Sequence, residues 1–181
     1  MVDATDSGAA NWENASTAID FRHLPGEDAD CDTDNSNVMF SIEPTKSENY
    51  VARAFLPGAS KSRRNILVSP IVADNAYSPA SVMGHELGHV LGFRHEHNRP
   101  EAGTCFEDDN LVPLTPYDSR SIMHYPHCNG ISEDMELSEL DRKGVQLAYG
   151  AREEDPDGSD DPAAPECVLS VLSACTGSPG N

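Results

Sequence analysis

The sequence predicts an α+β domain, and three features carry that reading. Segments rich in β-branched and aromatic residues at 38–42, 50–56 and 65–69 read as strands separated by turn residues. A helix with two histidines four apart follows near Pro79. Beyond it the chain is loop-rich until a last helix at 137–149. Strands that hand over to a helix place that helix against one face of a sheet, with its far side on a cleft at the sheet's edge.

Taken in order, 6–17 reads as a short helix around Trp12, and 18–24 as an extended segment stopped by Pro25-Gly26. Residues 27–35 carry acids at alternate positions around Cys31. They lack the glycine and distal Glu of an EF-hand, so a solvated turn is expected, with calcium a subordinate candidate. Cys31 is left open between structural, free and redox-active. The strand at 50–56 closes at Pro57-Gly58, and the basic turn at 61–64 leads into 65–69. Ser78 is placed to cap the next helix, with Pro79 in its first turn. The final helix has Ser138 as N-cap, Asp141 three residues on, and Gly150 as its stop. Residues 151–166 are acidic and rich in Pro, Asp and Gly, which describes a linker. Its 155–160 piece has calcium-repeat chemistry in a single copy. Residues 167–181 read as a short tail in which Cys167 and Cys175 close a small disulfide loop.

The whole chain bounds the partners. Its 181 residues give room for one domain with a core and little else. Thirty-one acidic residues against 12 basic ones, a formal net charge of −19, argue against nucleic acid or an anionic membrane as partner. No run is apolar and long enough to span a bilayer. Five cysteines point to an oxidising, secreted destination and leave at least one thiol unpaired in a monomer. Cys105 and Cys128 bracket the loop-rich part and form the expected disulfide there. The polar, acidic start is not a signal peptide, so a longer precursor is expected.

The chemistry sits in Gly84-His85-Glu86-Leu87-Gly88-His89-Val90-Leu91-Gly92-Phe93-Arg94-His95-Glu96. His85 and His89 leave one face of a helix and can take two corners of a coordination shell. Glu86, about 100° round the helix, reaches a water beside the metal while staying out of the shell. Gly92 lets the backbone leave the helix so that His95 returns as a third ligand. Three neutral imidazoles with an exchangeable position describe a catalytic zinc, Zn2+, and not a structural one. Met83, Leu87, Val90 and Leu91 gather on the opposite, core-facing side.

The pattern His85-Glu86-x-x-His89-x-x-Gly92-x-x-His95, with Met123 in Ser121-Ile122-Met123-His124-Tyr125, resembles the metzincin clan of zinc endopeptidases. Glu96 after the third histidine, Arg99-Pro100 and the Met123 segment are similar to the astacin family, in a bacterial-type version. The match covers about 78–125. Pro126-His127-Cys128 and the Cys105–Cys128 pair depart from the usual astacin pattern. Residues 52–58 look instead like the edge strand of matrixins. The resemblance implies a zincin fold: a twisted mixed sheet, an active-site helix above the cleft, and a loop-rich lower subdomain with a C-terminal helix. A peptidase domain of 1–150 would have its upper part to about 92 and its lower part over 93–150. The clan places a strand and a full first helix ahead of Trp12, so an N-terminally incomplete domain is expected.

By the same resemblance His85, His89 and His95 bind zinc and Glu86 is the general base. Met123 forms the turn beneath the metal. Tyr125 is a displaceable ligand that swings away to stabilise the oxyanion. Glu96 is the acid that in astacins contacts the buried mature N-terminus. Ala52, Arg53, Ala54, Phe55 and Leu56 would pair with extended protein or peptide substrate. Apart from the resemblance, the place of Arg120 just ahead of Met123 is read as lining the pocket beyond the scissile bond and favouring acidic side chains. The expected activity is that of a monomeric zinc endopeptidase. Its rivals are a silent zinc or peptide-binding module, an inactive fragment, and a zinc hydrolase of non-peptide amides.

Overall fold

A computed structural model describes residues 1–132, 134–151 and 171–177. Helix α1, Val2–Glu13, begins and ends four residues before the expected 6–17. It stops because the Ala15 and Ser16 amides both fold back onto the Trp12 carbonyl. The strands are β1 Asp20–His23, β2 Phe40–Pro44, β3 Ala52–Arg53 and β4 Asn65–Val68. Helix α2, Pro79–Val90, starts where Ser78 accepts from the Ser81 amide, as expected. Helix α3, Glu139–Tyr149, carries a complete capping box between Ser138 and Asp141, and Gly150 follows at φ 97°.

Two expectations fail at the sheet. The segment read as a tail contains strand β5, Val171–Thr176, and this strand lies inside the sheet. The strand order is β1-β5-β2-β4-β3, with β5 parallel to both neighbours and only β3 antiparallel. The sheet is therefore mixed and continuous across five strands. Cys175 bonds to Cys31 across 144 residues and closes no small loop with Cys167, so Cys31 is structural. The acidic linker and Cys167 lie outside the described residues. The second failure is length: of the 50–56 strand only Ala52–Arg53 forms β3, with the Val51 carbonyl accepting from the Ser69 amide at 2.9 Å just ahead of it, and beyond it Phe55 turns inward, 8% exposed, with its ring 5.7 Å from that of Phe40.

The core lies between the sheet and the crossed helices α1 and α2. Trp12, Phe40, Ile66, Met83, Leu87, Ile122 and Val145 are all fully buried. The helices touch backbone to backbone at Gly8 and Gly84, where a Cβ on Gly8 would lie 2.6 Å from the Gly84 nitrogen. The Trp12 indole donates to the Gly84 carbonyl at 2.9 Å. This contact fixes the helix that bears the histidines. Below α2 the chain runs through short 3-10 turns at Glu96–Asn98, Pro100–Ala102 and Pro126–Cys128 before α3, and the Cys105–Cys128 disulfide forms as expected. The result is α+β, with the histidine helix above a loop-rich lower part.

Candidate active site

Helix geometry puts His85 and His89 on one face of α2, and Gly92, at φ +100°, turns the chain back toward them. A Cβ there would be strained whatever the space around it. The Gly92 and Phe93 amides close the turn on the His89 and Gly88 carbonyls at 2.9 Å each. His95 then meets the first two: its ring centroid is 5.3 Å from His85 and 4.7 Å from His89.

Every one of the three rings has its Nδ1 spoken for. His85 Nδ1 lies 2.7 Å from the Ile122 carbonyl, His89 Nδ1 2.8 Å from the Phe93 carbonyl, and His95 Nδ1 3.0 Å from Glu107 Oε1. Those acceptors cannot donate, so each Nδ1 carries the proton and each Nε2 presents a lone pair. His85 Nε2 is buried without a partner, and His89 Nε2 is 3.1 Å from His95 Nε2. Two lone pairs aimed at each other need a cation. Tetrahedral zinc with Zn–N of ~2.05 Å spaces its nitrogens by about 3.3 Å, so the cluster fits that ion. Burial holds all three imidazoles neutral: His85 is lowered well below 6.5, His89 falls to about 4 and His95 is also lowered.

Glu86 is 5% exposed, next to the cluster and outside it. Burial pushes its carboxyl up to about 8, against the opposing pull of the Ala54 amide and the Arg53 guanidinium. Its Oε2 is buried without a partner. A cation nearby would draw its affinity for a proton back toward neutrality, the range a general base needs. The Tyr125 ring is 4.4 Å from His95 and 5.4 Å from His85, with the hydroxyl raised to about 12 by burial and by the Glu86 and Glu107 carboxylates.

Met123 lies under α2: a Cβ on Gly88 would come within 2.5 Å of its Sδ. Its carbonyl accepts from the Glu96 amide at 2.9 Å, tying this turn to the third histidine. Asp141, the capping residue of α3, also accepts from the Ile122 amide at 2.8 Å and the Ser121 hydroxyl at 2.6 Å. Glu96 accepts from the Asp118 amide at 2.9 Å, and burial pushes its carboxyl up to about 7.

The expected substrate-side residues are dispersed. Arg53 and Ala54 adjoin Glu86, Ala52 and Arg53 form the free edge of the sheet, and the Phe55 side chain belongs to the core. Leu56 lines a cleft of about 790 Å³ that reaches His95, with Phe93, Glu96, Met123 and Tyr149. Arg120 is exposed ahead of Met123. Sequence reasoning missed Glu107, Asn98 and the reach of Asp141 to the Met123 turn. The last had a local signal in the capping box, whereas Glu107 and Asn98 had none. In the 27–35 turn Glu27 accepts from the Asn35 and Asn37 side chains, and Asp32 accepts from the Asp34 and Asn35 amides.

Fold and site together make an α+β domain in which three imidazoles gather beside a buried carboxylate, and known proteins resemble it in sequence and in fold. The chain is similar to Tolloid-like protein 1 of Homo sapiens, 29% identical over 136 residues that span 61% of this chain and 13% of that protein. It is similar to Tolloid-like protein 1 of Mus musculus, 32% identical over 164 residues covering 78% of this chain and 14% of that one. It thus spans about one seventh of the length of these relatives. Among solved structures it resembles high choriolytic enzyme 1, a hatching enzyme zinc-protease of the medaka fish Oryzias latipes, with a TM-score of 0.51, 18% identity and 83% of each chain covered. No family model matches the chain.

Proposed function

We propose that the protein is a zinc-dependent endopeptidase that hydrolyses extended segments of protein substrates, acts as a monomer and works outside the cell. The observation that carries this is the convergence of three Nδ1-tethered imidazoles beside a buried carboxylate that belongs to no ligand set. A module that only bound metal would have no use for Glu86. The peptidase unit is read as 1–150 completed by β5, with an astacin-like centre and a matrixin-like edge.

His85, His89 and His95 would hold the ion, with Tyr125 as a displaceable further contact. Zinc supplies polarisation of the scissile carbonyl and a lowered pKa for the attacking water, toward about 7. Substrate lies antiparallel to the free edge at Ala52 and Arg53, held by main-chain hydrogen bonds. Glu86 takes the proton of the attacking water and hands it to the leaving amine, which departs neutral. Tyr125 donates to the oxyanion, a bond that strengthens as charge develops there. Arg120 favours acidic side chains beyond the scissile bond, and Glu96 orders the segment that follows His95.

The test is turnover of casein by the zinc-loaded protein, with and without chelator, beside Glu86→Gln. We expect Glu86→Gln to bind one zinc and lose ~10²- to 10⁴-fold in kcat, the usual contribution of a general base. A variant that digests casein at the parent rate would remove Glu86 from the chemistry. Zinc-loaded parent protein that cleaves neither casein nor a peptide library would return the chain to the silent binding-module reading.

A further inference from the structure

The three imidazoles are not held alike. His85 and His89 donate to neutral main-chain carbonyls, those of Ile122 and Phe93. His95, the ligand that lies off the helix, donates to a carboxylate: Glu107 Oε1 and Oε2 stand 3.0 and 3.1 Å from its Nδ1. A residue with no helix to orient it therefore has the strongest acceptor.

Four ties place the carboxylate itself. Asn98, 1% exposed, donates to Glu107 Oε2 at 3.3 Å and accepts from the Glu107 amide at 2.9 Å, a reciprocal pair that fixes main chain and side chain together. Two residues before Glu107, Cys105 is bonded to Cys128, whose amide donates to the Tyr125 carbonyl at 3.0 Å. One residue after it, Asp108 pairs with Arg94. His97, 1% exposed, brings its Nε2 to 3.5 Å from Oε1 and stacks on His95 at 4.6 Å. The loop has no regular structure of its own, so these ties are what bring Glu107 to the ring.

We propose that Glu107 is a positioning residue of the metal centre, which locks His95 in its ligating tautomer and orientation and raises its strength as a ligand. The Cys105–Cys128 disulfide and Asn98 are the devices that deliver it. This role rests on the zinc centre proposed for the three histidines. Carboxylate partners of ligating imidazoles act in this way, and losing one costs ~10- to 100-fold in metal affinity. Glu107 stands 12 residues beyond the third histidine on an irregular loop, so only the folded chain reveals the contact.

The test compares the full chain with Glu107→Gln and with Cys105→Ser/Cys128→Ser, which keeps the carboxylate but frees its loop. Exposed Glu136→Gln serves as the control. Zinc dissociation constants come from chelator competition at neutral pH, and the visible spectrum of each cobalt(II)-substituted protein reports the geometry at the ion. The parent is expected to bind one zinc. Glu107→Gln is expected to bind it 10- to 100-fold more weakly with shifted cobalt bands. The double serine variant should move in the same direction, and Glu136→Gln should match the parent. A Glu107 that served only the loop's fold would lower the melting temperature and leave affinity and spectrum unchanged. Zinc affinity within twofold of the parent in Glu107→Gln overturns the proposal and leaves the zinc centre standing. Should Glu107→Gln not fold, the same limit applied to the double serine variant decides. A parent that binds no zinc overturns the centre, and Glu107's role with it.

Discussion

At the scale of single residues, what defines the centre is that its histidines are neutral before any ion arrives. Burial lowers His89 to about 4 and moves His85 and His95 the same way. The sign is set by linkage. An imidazole with a depressed folded pKa binds fewer protons in the native state than in the unfolded one, so its contribution is complete above about 6.5 and is lost as pH falls toward about 4. In the proposed zinc centre, metal and proton would compete for the same three Nε2 atoms, which would steepen the loss. We expect zinc to be retained at pH 7.5 and released cooperatively between pH 6.5 and 4, read by a zinc-sensitive dye, with the melting temperature falling in the same window. Release confined to pH below 4 would mean that the histidines are not the ligands. The gathering of the three histidines was legible in the sequence because helix periodicity converts a spacing of four, followed by a glycine, directly into a shared point in space. Glu107 was not, because a carboxylate on an irregular loop has no period, and its partner is chosen by a disulfide and by Asn98.

At the scale of elements, two glycines in helices have opposite roles, and distances separate them. A Cβ on Gly88 of α2 would meet Met123 Sδ at 2.5 Å and Trp12 Cζ2 at 2.8 Å, between the Met123 turn and a fully buried ring stacked on Phe93. The helix-propensity gain of Gly→Ala, ~1 kcal/mol, is set against overpacking of ~1–3 kcal/mol. We expect Gly88→Ala to gain nothing in stability, losing up to about 2 kcal/mol on balance, and to loosen zinc by displacing Met123. Gly144 of α3 has only Thr115 Cγ2 near, at 3.9 Å. Gly144→Ala should keep the propensity term, up to ~1 kcal/mol, and raise the melting temperature by ~2–4 °C without altering zinc binding. Thermal melts of both variants check the pair, and equal shifts would mean that packing against Met123 is slack. Caps and helix starts were readable because Ser78-Pro79 and the Ser138/Asp141 box act within four residues. The length of the edge strand was not, since 50–56 has strand composition throughout, whereas β3 is Ala52–Arg53 and beyond it Phe55 packs inward against Phe40.

At the scale of the whole molecule, the two ends of the chain close one sheet. Strand β5 hydrogen-bonds between β1 and β2, and the Leu24 and Met39 amides each donate to it at 2.9 Å. Leu172 and Ala174 enter the core, while Cys175 is tied to Cys31. The Thr176 amide donates to Asp28 Oδ1 at 3.0 Å. Nothing in 167–181 announces this strand, because a short apolar run after an acidic linker has the composition of a tail, and its place in the sheet is a contact made across more than 130 residues. A tail and a central strand respond differently to removal. A tail ending in a small loop could be cut away without effect. A central strand could not: ending the chain at Ala151 would leave β1 and β2 with unpaired main-chain groups facing each other across a gap and would uncover Phe40 and Ile42. We expect the 1–151 chain to be insoluble or to lack a cooperative melt and stoichiometric zinc, whereas a soluble product with the parent's melting temperature would return 171–176 to the status of a tail. The disulfide offers a graded version of the same test. Closing a loop of 144 residues is worth about 5 kcal/mol at most in the chain-entropy model. Cys31→Ser/Cys175→Ser should therefore stay folded with its melting temperature lowered by about 10 °C. Asp28, raised by burial but brought below the usual carboxylate range overall by the Thr176 amide and His23, adds a term complete above its unfolded value of 3.8 and lost as pH falls further. The melting temperature should fall as pH drops below 4 in the parent and in the double serine variant, and Asp28→Asn should flatten that fall in either background.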